Sequence, residues 1–97
     1  MIDIKNFIPY TLDAVKELQE DEALDIRPMK RDRKVVIRKG QEGYDIFETG
    51  FYKEDYYGIS YTKLKKLLKT LEKKEFPRSN KLWFKIIQDE EINKEEV

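Results

Sequence analysis

Apolar positions recur along this chain with two different periods, and the period changes from segment to segment. Over residues 11–22, Leu12, Val15 and Leu18 fall at helical spacing and form a narrow apolar stripe. Thr11 caps this predicted helix, Asp13 complements its positive end, and Pro9 lies before the cap, where its fixed φ does no harm. Over residues 33–39 the period drops to two. Val35 and Ile37 take one face, and Lys34, Val36 and Arg38 take the other. Gly40-Gln41-Glu42-Gly43 then supplies a hairpin turn. Residues 44–52 read as the returning strand, with Tyr44, Ile46 and Glu48 facing opposite to Asp45, Phe47 and Thr49, and with a bulge or bend at Gly50.

Three further elements complete the pattern. Residues 24–29 read as a strand that Pro28 confines to an edge, and residues 56–61 as a short strand interrupted by Gly58. The clearest helix covers residues 62–75, with Leu64, Leu67, Leu68 and Leu71 on one face and Lys63, Lys65, Lys66, Lys69 and Lys73 around the rest. Ser60 or Thr62 caps it and Pro77 stops it. Residues 81–88 are a last strand carrying Trp83, Phe84, Ile86 and Ile87, and residues 89–97 an acidic, flexible tail. The fold class predicted is α+β: a single domain over residues 1–88, an antiparallel sheet of four or five strands, and two helices packed on one face. Its predicted core is Leu12, Val15, Leu18, Val35, Ile37, Ile46, Ile59, Leu64, Leu67, Leu68, Leu71, Phe84 and Ile86.

Composition narrows the chemistry. The 97 residues contain no Cys and no His, which removes disulfides, thiolate metal sites, Cys nucleophiles and imidazole acid–base catalysis. Carboxylate pairs, a Lys nucleophile or a Mg²⁺ site made of Asp and Glu are the catalytic options left. Asp45 and Glu48 stand at odd spacing on one strand and so point apart. The glycines match neither a P-loop nor a dinucleotide fingerprint. We therefore expect no enzyme, no cofactor and no metal. No apolar run approaches a membrane span, and Met1-Ile2-Asp3-Ile4-Lys5 lacks the basic-then-apolar form of a secretory signal. A cytoplasmic location without membrane contact is expected.

Twenty Lys+Arg balance twenty Asp+Glu, but the charges come in blocks. Residues 3–26 hold seven acids and two lysines, residues 27–39 seven bases and one acid, and residues 62–79 seven bases and two acids. Such blocks produce strong local fields on a neutral chain. The basic strand lies next to a run of aromatics that includes Tyr44, Phe47, Phe51, Tyr52, Tyr56, Tyr57 and Tyr61. Cations beside rings on an open sheet suit unpaired nucleic acid, which offers phosphates to the one and bases to the other. Candidate phosphate contacts are Arg33, Lys34, Arg38 and Lys39; candidate stacking residues are Tyr44, Tyr52 and Trp83. Trp83 alternates with Phe84, so one of the two faces outward if a single side of the strand is covered.

Gly43-Tyr44-Asp45-Ile46, followed by Gly58-Ile59-Ser60-Tyr61-Thr62 and an amphipathic helix, resembles the positive-cofactor-four family of transcriptional coactivators and its bacterial relatives. The resemblance covers residues 34–71. It implies a curved antiparallel sheet followed by a helix, a homodimer, and single-stranded DNA held by basic and aromatic sheet residues, with Lys34 and Arg38 on the preceding strand. Phe47 and the pair Tyr56-Tyr57 stand where that family tends to carry basic residues. The alternative reading is a protein-interaction or regulatory module. In it the charge blocks steer a protein partner, or the acidic segments imitate nucleic acid, and the Tyr and Trp residues supply hot spots.

Overall fold

The elements follow one another as β1 (Ile2–Asp3), α1 (Phe7–Lys16), β2 (Glu22–Pro28), β3 (Lys34–Lys39), β4 (Tyr44–Thr49), β5 (Lys53–Ile59), α2 (Tyr61–Glu75) and β6 (Lys81–Gln88). This computed structural model describes residues 1–30, 32–50 and 52–92. The strands form one antiparallel sheet in the order β1-β6-β2-β3-β4-β5, and the two helices pack on one of its faces. The fold is the predicted α+β domain with six strands rather than four or five. Among the described residues no helix is long and apolar enough to cross a membrane.

Residues 34–71, which carry the family resemblance, comprise β3, β4, β5 and most of α2. Here the hydrophobic rhythm reads directly into structure. Val35 and Ile37 of β3 and Ile46 of β4 face Leu64, Leu68 and Leu71 of α2, and all six side chains are fully buried. Ser60 caps α2, its side chain accepting the Lys63 N–H at 3.4 Å. Strand β6 spans residues 81–88 as the alternation predicts.

Elsewhere local signals were overridden. The first helix runs Phe7–Lys16 instead of 11–22. Pro9 therefore lies inside its first turn, where backbone N–H groups have no intrahelical acceptor to lose. Thr11 is buried rather than capping, and Phe7 becomes a core ring. Strand β2 is not an edge. It lies between β6 and β3, with Pro28 as its last residue opposite Leu82, where the missing N–H interrupts little of the ladder. Strand β4 ends at Thr49, before the bend at Gly50, and β5 starts earlier than predicted, at Lys53.

At the far end of β6 the core departs from the predicted one. Ile86 points to the helix side but is 48% exposed: β1 pairs only with Leu82 and Lys81, so this end of β6 is a sheet edge. Its neighbour Ile87, on the opposite face, is buried with Ala23, Val36 and Ile92. Ile92, within the stretch read as the tail, follows a 3-10 turn at Asp89–Glu91 and packs with that group. Residues 93–97 of that tail lie outside the described residues, as does Phe51.

Candidate nucleic-acid interface

Helix α2 presents opposite faces of opposite chemistry. Leu64, Leu68, Leu71 and Glu75, at i, i+4, i+7 and i+11, point into the domain. Thr62, Lys66, Lys69 and Lys73 repeat the same spacing on the far side, flanked by Lys63 and Lys65. All five lysines are exposed, and none has an ion-pair partner among the described residues. From Lys63 to Lys73 the row is about 15 Å long at the rise of an α-helix.

The last turn of α2 covers a buried polar cluster. Glu48, on the helix face of β4, is wholly buried, and its Oε1 accepts from Lys74 Nζ at 3.2 Å and from the Tyr56 hydroxyl at 3.2 Å. Burial, and then the neighbouring Glu75 carboxyl, push Glu48 up to about 7. Tyr56 is pushed up to about 12 by burial and by its bond to Glu54. Glu75, also buried, accepts the Tyr52 N–H at 3.2 Å, while Arg33 Nη1 donates to the Glu75 carbonyl at 3.0 Å. Tyr52 itself is 43% exposed and holds the Lys74 ammonium 4.6 Å from its ring centroid. An accessible ring thus stands beside the end of the lysine row.

The other face of the sheet is open but its arginines are already matched. Arg27 binds Asp25 through two nitrogens, Nε at 3.0 Å and Nη2 at 2.9 Å. Arg38 Nε donates to Asp45 at 3.0 Å, and Nη1 donates to Asp89 at 3.3 Å. Desolvation works against the Arg38 charge, but the two carboxylates outweigh it and raise its pKa further. The same guanidinium lies 5.3 Å from the Phe47 ring centroid. Asp45 also accepts the Gly58 N–H at 3.0 Å, where β5 bulges between Tyr56 and Ile59 opposite Tyr44 and Ile46 of β4, and Gly58 takes a φ of +64°. Asp45→Ala is expected to lower the unfolding free energy by about 2 kcal/mol, and Asp45→Asn, which keeps an acceptor for Gly58, by about half as much. Urea unfolding of the two variants measures this; equal losses would mean that charge on Arg38, rather than the Gly58 amide, holds the bulge.

The seven residues chosen from the sequence do not share one face. Lys34, Arg38 and Trp83 point to the open side of the sheet, whereas Arg33, Lys39, Tyr44 and Tyr52 lie on the helix side. Tyr44 is buried against the helices, with its hydroxyl 3.5 Å from the Val15 carbonyl, and cannot stack on a base. Lys34 is only 5% exposed, so it offers no ammonium to a phosphate. Arg33 is committed to Glu75. Trp83, at 38% exposure, is the outward member of its pair, while Phe84 packs on Phe7 and Tyr10. Lysines of α2 were missing from the choice although their spacing was visible, because an exposed basic helix face looks the same in sequence whether or not it binds anything. Comparison with protein-family models, with curated proteins and with solved structures finds no match to this chain.

Proposed function

We propose that this protein binds nucleic acid, single strands foremost, along the outer face of α2. One observation carries the reading: five exposed lysines run along one helix with no ion-pair partner among the described residues, while the sheet arginines Arg27 and Arg38 are neutralised by carboxylates. A row about 15 Å long meets roughly four phosphates at the spacing of one strand. Single strands are favoured because Tyr52 offers a ring beside the row, and an unpaired base can stack on it. Contacts of this kind read charge and not base sequence.

Fluorescence anisotropy with a labelled single-stranded 12-mer tests this. About four phosphate contacts predict affinity falling about 50-fold between 50 and 200 mM salt. The triple variant Lys66→Glu/Lys69→Glu/Lys73→Glu should lose binding at least about 30-fold, and Lys53→Glu/Lys85→Glu on the sheet less than about threefold. Absence of binding by the native protein at 50 mM salt overturns the reading. In that event the open sheet face, with Trp83 at 38% and Tyr57 at 62% exposure, supports the alternative of a protein partner, since such rings anchor protein interfaces.

A further inference from the structure

A cavity of about 480 Å³ opens where α2 ends and the chain turns into β6. Among the described residues its charged lining is Lys30, Arg33, Arg78 and Lys81 against Asp32 and Glu75, two positive charges in excess. Glu75 and Arg33 already hold each other, and this pair forms a fixed wall. Lys30, Arg78 and Lys81 have no ion-pair partner among the described residues. The three come from two separate stretches of chain, the turn after β2 for Lys30 and the link from α2 into the first residue of β6 for Arg78 and Lys81, which the fold brings together. Ser79 and Asn80 add neutral hydrogen-bonding groups, and Pro28, Met29 and Pro77 supply apolar surface, with Met29 58% exposed.

We propose that this cavity takes a phosphate monoester, the end group of a phosphorylated strand whose body lies along α2. The inference rests on the function proposed above. Charge selects the ligand: a backbone diester carries one negative charge, whereas a monoester carries close to two at neutral pH and so matches the excess. Guanidinium and ammonium donors lining one cavity suit the three free oxygens of a terminal phosphate. The apolar wall then receives the attached sugar and base, in a volume within the usual range for small-ligand sites. Location agrees as well. Arg78 follows the last turn of α2 by three residues, so the cavity lies at the end of the lysine row, where a strand terminus would arrive.

The test uses one 12-mer in three forms, carrying a 5′-phosphate, a 3′-phosphate or neither, with adenosine monophosphate as a fourth probe. At least one phosphorylated form should bind the native protein about tenfold more tightly than the bare strand. Arg78→Ala/Lys81→Ala should abolish that gain, and Lys66→Glu/Lys69→Glu/Lys73→Glu should weaken phosphorylated and bare strands alike. If adenosine monophosphate binds, in a manner sensitive to Arg78→Ala/Lys81→Ala, while end phosphates have no effect, the monoester site stands and its ligand is a free nucleotide. Equal binding of all three strands, with no binding of the mononucleotide, overturns the cavity proposal and leaves the α2 reading intact. Failure of every strand and of the mononucleotide overturns both.

Discussion

Replacing Glu48 by alanine is expected to lower the unfolding free energy by about 2–4 kcal/mol at pH 5, through the loss of a packed buried side chain and of its hydrogen bonds to Lys74 and Tyr56. Lys74 and the Tyr56 hydroxyl both meet Glu48 Oε1, and the variant leaves them without it beneath α2. Glu48→Gln keeps an oxygen for both partners and should cost much less. The more telling difference between wild type and Glu48→Gln lies in pH. The carboxyl is raised from 4.5 to about 7 in the folded protein, so between those values the folded chain holds a proton that the unfolded chain has released. Stability from this group is therefore fully present below about pH 4.5 and is lost as pH rises through about 7, on the order of 3 kcal/mol in all. Physically, deprotonation leaves the Glu48 and Glu75 carboxylates facing each other in a buried site. Urea unfolding at pH 5, 6, 7 and 8 should show wild-type stability falling relative to Glu48→Gln across this range. Parallel curves for the two proteins would mean that Glu48 is ionised throughout.

Phe7→Ala should be the most damaging change in the apolar core, about 3–5 kcal/mol. Phe7 is fully buried and lies edge-on to Phe76 at 5.7 Å between centroids, with Phe84 at 6.4 Å. These three rings join the start of α1, the end of α2 and the middle of β6, so the cavity left behind has walls in three elements that cannot all close in. For a domain of this size such a loss is roughly 15 °C or more in Tm. Leu12→Ala, on the same helix but only half-buried, should cost less than half as much. Thermal unfolding of the pair decides the matter. Equal shifts would show that the interior is centred further along α1, where the leucine stripe alone would put it.

The helix at residues 62–75, the hairpin strands at 33–39 and from residue 44, and the last strand at 81–88 were legible because each packs one face against the core over most of its length. Burial on one side imprints a period of 3.6 or 2 on the sequence, and the period then gives both the element and its inner face. Elements whose surroundings are mixed were misjudged. Helix α1 starts four residues early because Phe7 has rings to pack against, which the stripe of Leu12, Val15 and Leu18 does not announce. Pro28 suggests an edge, yet β2 is central because its proline sits at the strand's final position. Strand β1 contributes two residues and has no period to display.

The candidate site divides along the same line. Alternation correctly separates Lys34 and Arg38 from Val35 and Ile37, and helical spacing correctly marks the lysines of α2. It cannot tell whether a cation is already spoken for. Arg38 is matched by Asp89, 51 positions away, and Arg33 by the Glu75 carbonyl, 42 positions away. What the sequence determined by itself was therefore local: element type, inward face, cap and stop. Which charges remain available, which rings are buried, and where Lys30, Arg78 and Lys81 meet were decided only by the tertiary structure. Periodicity records a residue's direction relative to its own neighbours, whereas charge pairing and cavity formation depend on segments that chain folding brings together from far apart.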